Sequence, residues 1–209
     1  LFDDYPKLLG QPAALEARLR DVEQPHIAPL TKFVRELRKE AGPDASIPFF
    51  DPWDGGTEAE VLFLLEAPGP KARNSGFVSR NNPDETAKNL FELLNEAGIP
   101  RKSSVVWNIV PWYIGSGTKI RPAKLTDISA GMTSLDELIG LLPKLRCVAL
   151  VGRKSQQAEY HLQERYPLLI IEQTPHPSPM FINRRPENRT VLLDRLCHIR
   201  KLLESRTNE

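Results

Sequence analysis

The sequence predicts an α/β fold, a three-layer α/β/α sandwich with a central four-stranded parallel sheet. Three observations predict it. Four short runs of branched or aromatic apolar residues recur, at Val61 to Leu65, Val105 to Val110, Cys147 to Val151 and Leu168 to Ile171. Continuous apolar runs of this length suit strands buried on both faces. Helical patterns separate the runs, and a helix between two strands is the usual connection between parallel neighbours. With 209 residues, 40% of them apolar, the chain is long enough to bury one core, so a single domain over 1–209 is expected.

The elements follow in order. Residues 1–60 read as a helical preface, with helices over Ala13 to Val22 and Ile27 to Ala41. The stretch Ile47-Pro48-Phe49-Phe50-Asp51-Pro52-Trp53-Asp54-Gly55-Gly56 is too rich in proline and glycine for regular structure. The α/β core, 61–206, opens with the first apolar run. Asn82-Pro83-Asp84-Glu85 then supplies an N-cap, a proline at the first helical position and an acidic residue at the third, and Gly98 supplies a C-terminal stop, so a helix is predicted over 83–97. Helices over Lys124 to Leu142 and Lys154 to Arg165 are ended by Pro143 and Pro167. The final helix starts near Pro186, and its Leu192, Leu196, Ile199 and Leu203 form one apolar stripe.

Composition narrows the class. No run approaches the roughly 18 apolar residues that span a bilayer, and no apolar block with a small-residue cleavage site opens the chain, so a cytoplasmic protein without a membrane partner is expected. Cys147 and Cys197 cannot build a four-cysteine zinc or iron–sulfur site from this chain alone. The 28 basic and 27 acidic side chains give a net charge of +1, and distribution must therefore decide whether nucleic acid is a partner. From His176 to Arg206, Arg184, Arg185, Arg189, Arg195, Arg200, Lys201 and Arg206 outnumber Glu187, Asp194 and Glu204. Lys71, Arg73 and Arg80 are unopposed after the first strand.

In open parallel sheets ligands collect beyond the C-terminal ends of the strands, and three segments there carry chemistry. Leu65-Glu66-Ala67-Pro68-Gly69-Pro70 puts a carboxylate at the first strand tip; Glu66 is either a solvated turn residue or a group facing ligand. Asn108 lies among apolar residues in Trp107-Asn108-Ile109-Val110. Its amide either satisfies neighbouring backbone or offers an acceptor beside a donor, a pattern matching N3–H and O4 of uracil. Thr174-Pro175-His176-Pro177-Ser178-Pro179-Met180-Phe181-Ile182-Asn183-Arg184-Arg185 fixes one histidine between prolines, then presents apolar side chains and two arginines. It is either a loop packed on the core, or a histidine for an oxyanion with a wedge and phosphate contacts behind it.

A Glu-Ala-Pro-Gly turn, a Gly-Phe-Val element (Gly76-Phe77-Val78), an Asn-bearing second strand and a His-Pro-Ser-Pro loop, in this order, resemble the uracil-DNA glycosylase superfamily over about Val61 to Arg206. The resemblance implies hydrolysis of the N-glycosidic bond of uracil or a related deaminated base in single- or double-stranded DNA. It implies a monomer that leaves an abasic site, and a reaction for which no metal and no cofactor is expected. Carried over, Phe77 stacks on a flipped base, Asn108 bonds its Watson–Crick edge, and His176 stabilises charge at O2. Ala67 and Gly69 line the base, Ser178, Met180, Arg184 and Arg185 contact DNA with Met180 as the wedge, and Glu66 matches the acidic position of the Glu-Ala-Pro-Gly branch, a catalytic role as base or water holder. Three departures stand beside it. Two cysteines replace that branch's four, Ala72 stands where its motif has a second glutamate, and Gly69 stands where the general enzymes carry a thymine-excluding tyrosine. The general enzymes' catalytic aspartate corresponds to Ala67, which leaves open a non-catalytic binder of uracil-containing or abasic DNA. An unrelated α/β enzyme acting on a small nucleotide or base is a third reading.

Overall fold

The computed structural model describes residues 3–117 and 119–205; Arg206, the last of the basic residues counted above, lies outside them. Eight strands and eight α-helices are described. β1 is Phe49–Phe50, β2 Val61–Leu65, β3 Phe77–Val78, β4 Ser104–Asn108, β5 Gly115–Ser116, β6 Lys119–Ile120, β7 Cys147–Val151 and β8 Ile170–Thr174. The helices are α1 Pro12–Asp21, α2 Ala28–Ala41, α3 Pro70–Ser75, α4 Glu85–Glu96, α5 Leu125–Gly140, α6 Glu159–Arg165, α7 Pro179–Ile182 and α8 Asn188–Ser205. None of the described helices is long and apolar enough to cross a membrane.

The central sheet has four parallel strands, as expected; their order is β4-β2-β7-β8, with Val61 opposite both Ser104 and Cys147. Every residue of β4 and β7 is buried, which explains runs without polar alternation. Helices α4 and α8 pack together, with α8 against β7 and β8, while α2 packs on α5. The α8 stripe Leu192, Leu196, Ile199 and Leu203 is buried, as its spacing predicts.

Local chemistry moved several boundaries. Helix α4 starts at Glu85 because Asp84, not Asn82, caps it by accepting from the Ala87 amide at 2.9 Å. Asn82 is occupied elsewhere, accepting from Ser75 Oγ at 2.7 Å and donating to the Phe77 carbonyl at 2.9 Å. The fourth strand begins at Ile170 rather than Leu168, because Pro167 opens a turn closed by the Leu169 amide on the Tyr166 carbonyl. The predicted helix from Lys154 divides into a 3₁₀ turn, Ser155–Ala158, and α6.

The segment 47–56 is not wholly irregular, which corrects the sequence expectation. Phe49 and Phe50 pair in parallel with Phe77 and Val78, and the Phe50 ring stacks on Trp107 at 3.8 Å. Its acids enter a buried ionic latch. Arg18 donates to Asp51 at 2.7 Å, and Arg101 donates to Asp51, Asp54, Asp4 and Asn81. Arg80, unopposed by sequence neighbours, is 1% exposed, donates to Ser104 Oγ at 2.8 Å and is opposed by Asp54 at 3.4 Å. The latch joins the preface to the core by charge pairing, which gives no periodic signal in sequence.

Candidate active site

The C-terminal ends of β2 and β4 and the loop after β8 surround a cavity of about 470 Å³. Glu66, Ala67 and Gly69 line it from the turn after β2, Asn108 from the tip of β4, and His176 from the loop after β8. The strand register places Leu65 beside Asn108, so Glu66 and Asn108 emerge from neighbouring strand ends. Five of the residues singled out in the sequence therefore meet at one site.

Asn108 is 4% exposed, and its side-chain amide has no hydrogen-bond partner among the described residues. Buried amides are normally bonded, so this one faces the cavity with both halves free. Glu66 is half-buried, and one of its oxygens accepts from the Ala123 amide at 2.6 Å. That bond fixes the carboxylate's direction and leaves its other oxygen available.

His176 is half-buried, and burial lowers its pKa below the usual value, with Glu66 opposing. The ring is therefore neutral near pH 7 and carries one N–H donor. Two features hold it. Asn89 on α4 donates to the Pro177 carbonyl at 2.8 Å, and a Cβ added at Gly152 would lie 3.1 Å from the His176 Cβ. Gly152 has φ +88°, a conformation suited to glycine, so its bare backbone seats the imidazole. Gly152 was not singled out in the sequence; its place just after the third apolar run was the available signal.

Outside the cavity, Ser178 caps α7 by accepting from the Phe181 amide at 3.3 Å. Met180 on the first turn of α7 is 83% exposed, and Arg184 and Arg185 follow it on the surface. This short helix places an apolar tip ahead of two cations. Phe77 is elsewhere. It is 0% exposed, packs with Leu9, Val22 and Phe49, and does not line the cavity. β-pairing of Phe77 with Phe49 aims the ring into that cluster, and Val78 and Ser79 form the adjoining cavity wall instead. Ser79 Oγ donates to Asp51, so this wall rests on the latch.

A neutral imidazole, a fixed carboxylate and a free amide around a cavity at strand tips suit recognition of a planar polar ring. The sequence pattern of the Uracil DNA glycosylase superfamily matches residues 52–200. The chain belongs to that superfamily. Its fold is similar to that of Pedobacter heparinus SMUG2, at 13% identity over 85% of each chain with a TM-score of 0.56. A candidate uracil DNA glycosylase from Methanosarcina acetivorans aligns at 17% identity over 69% of this chain and 92% of that one, with a TM-score of 0.47. No curated protein sequence matches. An iron–sulfur cluster does not fit this superfamily member: Cys147 is buried in β7, with burial pushing its thiol up to about 12, and Cys197 lies on α8.

Proposed function

We propose that the protein is a DNA glycosylase that hydrolyses the N-glycosidic bond of uracil or a related deaminated base and leaves an abasic site. The observation that carries the reading is the Asn108 amide, which lines the cavity and has no hydrogen-bond partner among the described residues. A base flipped from the stack costs a few kcal/mol of unstacking and supplies the missing donor and acceptor. The departing base leaves as an anion delocalised over ring carbonyls, and the His176 N–H is placed to bond the developing charge. Such a bond acts mainly in the transition state. Glu66 orients water toward the sugar or offsets its cationic character. Met180 enters the gap left in the stack, and Arg184 and Arg185 bind phosphate.

Ala67 favours one second reading, a binder with little cleavage, because no carboxylate stands at the position of the general enzymes' aspartate. Incubation with a uracil-containing single-stranded oligonucleotide, followed by alkali, separates the two. Strand breaks support the enzyme, and a shifted but intact oligonucleotide supports the binder. Glu66→Gln tests the carboxylate: single-turnover cleavage should fall on the order of 10²- to 10⁴-fold with binding retained. A rate within about threefold of wild type, under 1 kcal/mol of barrier, would remove Glu66 from the chemistry.

A further inference from the structure

We infer that the β5–β6 hairpin, with the strap that follows it to Lys124, is a second DNA-contacting arm, gripping the strand across the cavity from Met180. The inference rests on the glycosylase reading and names a surface which that reading leaves unused.

Position comes first. The hairpin follows β4, one edge of the sheet, and the Met180 helix follows β8, the other edge. Parallel strands put both at the same end of the sheet. Three strand spacings separate the edges by roughly 14 Å, about four base steps of 3.4 Å, so a strand lying over the cavity mouth meets both.

Composition comes second. Residues 109–126 contain no acid and carry Lys119, Arg121 and Lys124. Arg121 is engaged by Asp127 at 2.6 and 2.9 Å, whereas exposed Lys119 and Lys124 have no ion-pair partner among the described residues. Between Lys119 and Arg121, Ile120 is 44% exposed and lines the cavity. An exposed apolar side chain between cations suits a strand whose bases and sugars it touches while neighbouring cations take phosphates.

Rigidity comes third. Tyr113 Oη donates to the Gly117 carbonyl at 2.9 Å, and Arg73 donates to the same carbonyl at 3.3 Å. Lys154 holds the strap by donating to the Ala123 carbonyl at 2.6 Å, and the Ala123 amide donates to Glu66. The arm is thus braced against the carboxylate it would serve. Gly115 is essential to its shape, since an added Cβ would meet the Lys119 carbonyl oxygen at 2.3 Å and Tyr113 Oη at 2.5 Å.

Two variants test the arm by fluorescence anisotropy on uracil-containing and undamaged oligonucleotides across a salt series. Lys119→Ala with Lys124→Ala, both exposed, should keep the fold, weaken binding to both oligonucleotides about tenfold and flatten the salt dependence by about two units of slope. Gly115→Val removes no charge but displaces the hairpin, and should weaken binding in the same direction. Wild-type slope and affinity in both variants, with wild type itself binding and cleaving, would overturn the arm alone. A wild type that neither binds nor cleaves would overturn the glycosylase reading and the arm with it.

Discussion

Replacing Asn108 with leucine should weaken the chemistry while leaving the fold intact. The amide is 4% exposed and has no partner among the described residues. Neither of its polar atoms is among the fully buried, unpartnered ones, so both reach the open space of the cavity. Water in the cavity can bond them, so a leucine of similar volume should change stability by less than about 1 kcal/mol. For a chain of this size that keeps the thermal midpoint within about 2–4 °C of wild type. The base, however, loses two hydrogen bonds and keeps its own donor and acceptor unpaired in the site. A loss of about 3 kcal/mol lowers cleavage on the order of 10²-fold. Circular dichroism melting gives the first quantity, and single-turnover alkali cleavage of a uracil oligonucleotide gives the second. A midpoint lowered by several degrees would show that the fold uses the amide, and cleavage within threefold of wild type would show that the base does not.

Lowered by burial, His176 should support cleavage below pH 6.5, because its imidazole stays neutral there; a single-turnover acid limb centred above 6.5 would contradict this. The same shift makes the unfolded chain bind more protons between the folded pKa and 6.5, so stability should fall as pH falls through that window. Gly152→Ala should reduce cleavage at least about tenfold, since the new Cβ would lie 3.1 Å from the His176 Cβ at a φ of +88°, and unchanged kcat would free the imidazole from this seat. Asp51→Ala should cost about 3–5 kcal/mol by stranding buried Arg18, read as a lower denaturant midpoint. A change under 1 kcal/mol would mean that the latch is not structural.

The sequence made the sheet legible because burial on both faces writes itself as uninterrupted apolar runs. Val61–Leu65 and Cys147–Val151 fall where those runs predict. Strand tips are equally legible in an open parallel sheet, which is why Glu66, Asn108 and His176, which line one cavity, could be placed at strand ends without coordinates. Long-range charge pairing was not legible. Arg80 looks like any loop arginine until Asp54 and Ser104 surround it. Phe77 was misplaced for a related reason: pairing of β1 with β3 turns its ring toward Leu9 and Val22, and two residues per strand are too few to show alternation. The β5–β6 hairpin carries only glycines and an acid-free stretch as signals, and those mark a turn without saying what it borders.

The ionic latch also bears on the order in which the molecule assembles. Arg101 reaches Asp4, Asp51 and Asp54 across sequence separations of 97, 50 and 47 residues. Contacts this distant close long loops, and the closure entropy must be met before the ion pairs return anything. The latch is therefore expected to form after the sheet has condensed and to open first when the protein unfolds. Ser79 leans on Asp51, so a chain whose latch has opened holds a formed sheet beside a slack cavity wall. Weakening the latch should consequently steepen the rise in unfolding rate far more than it delays folding.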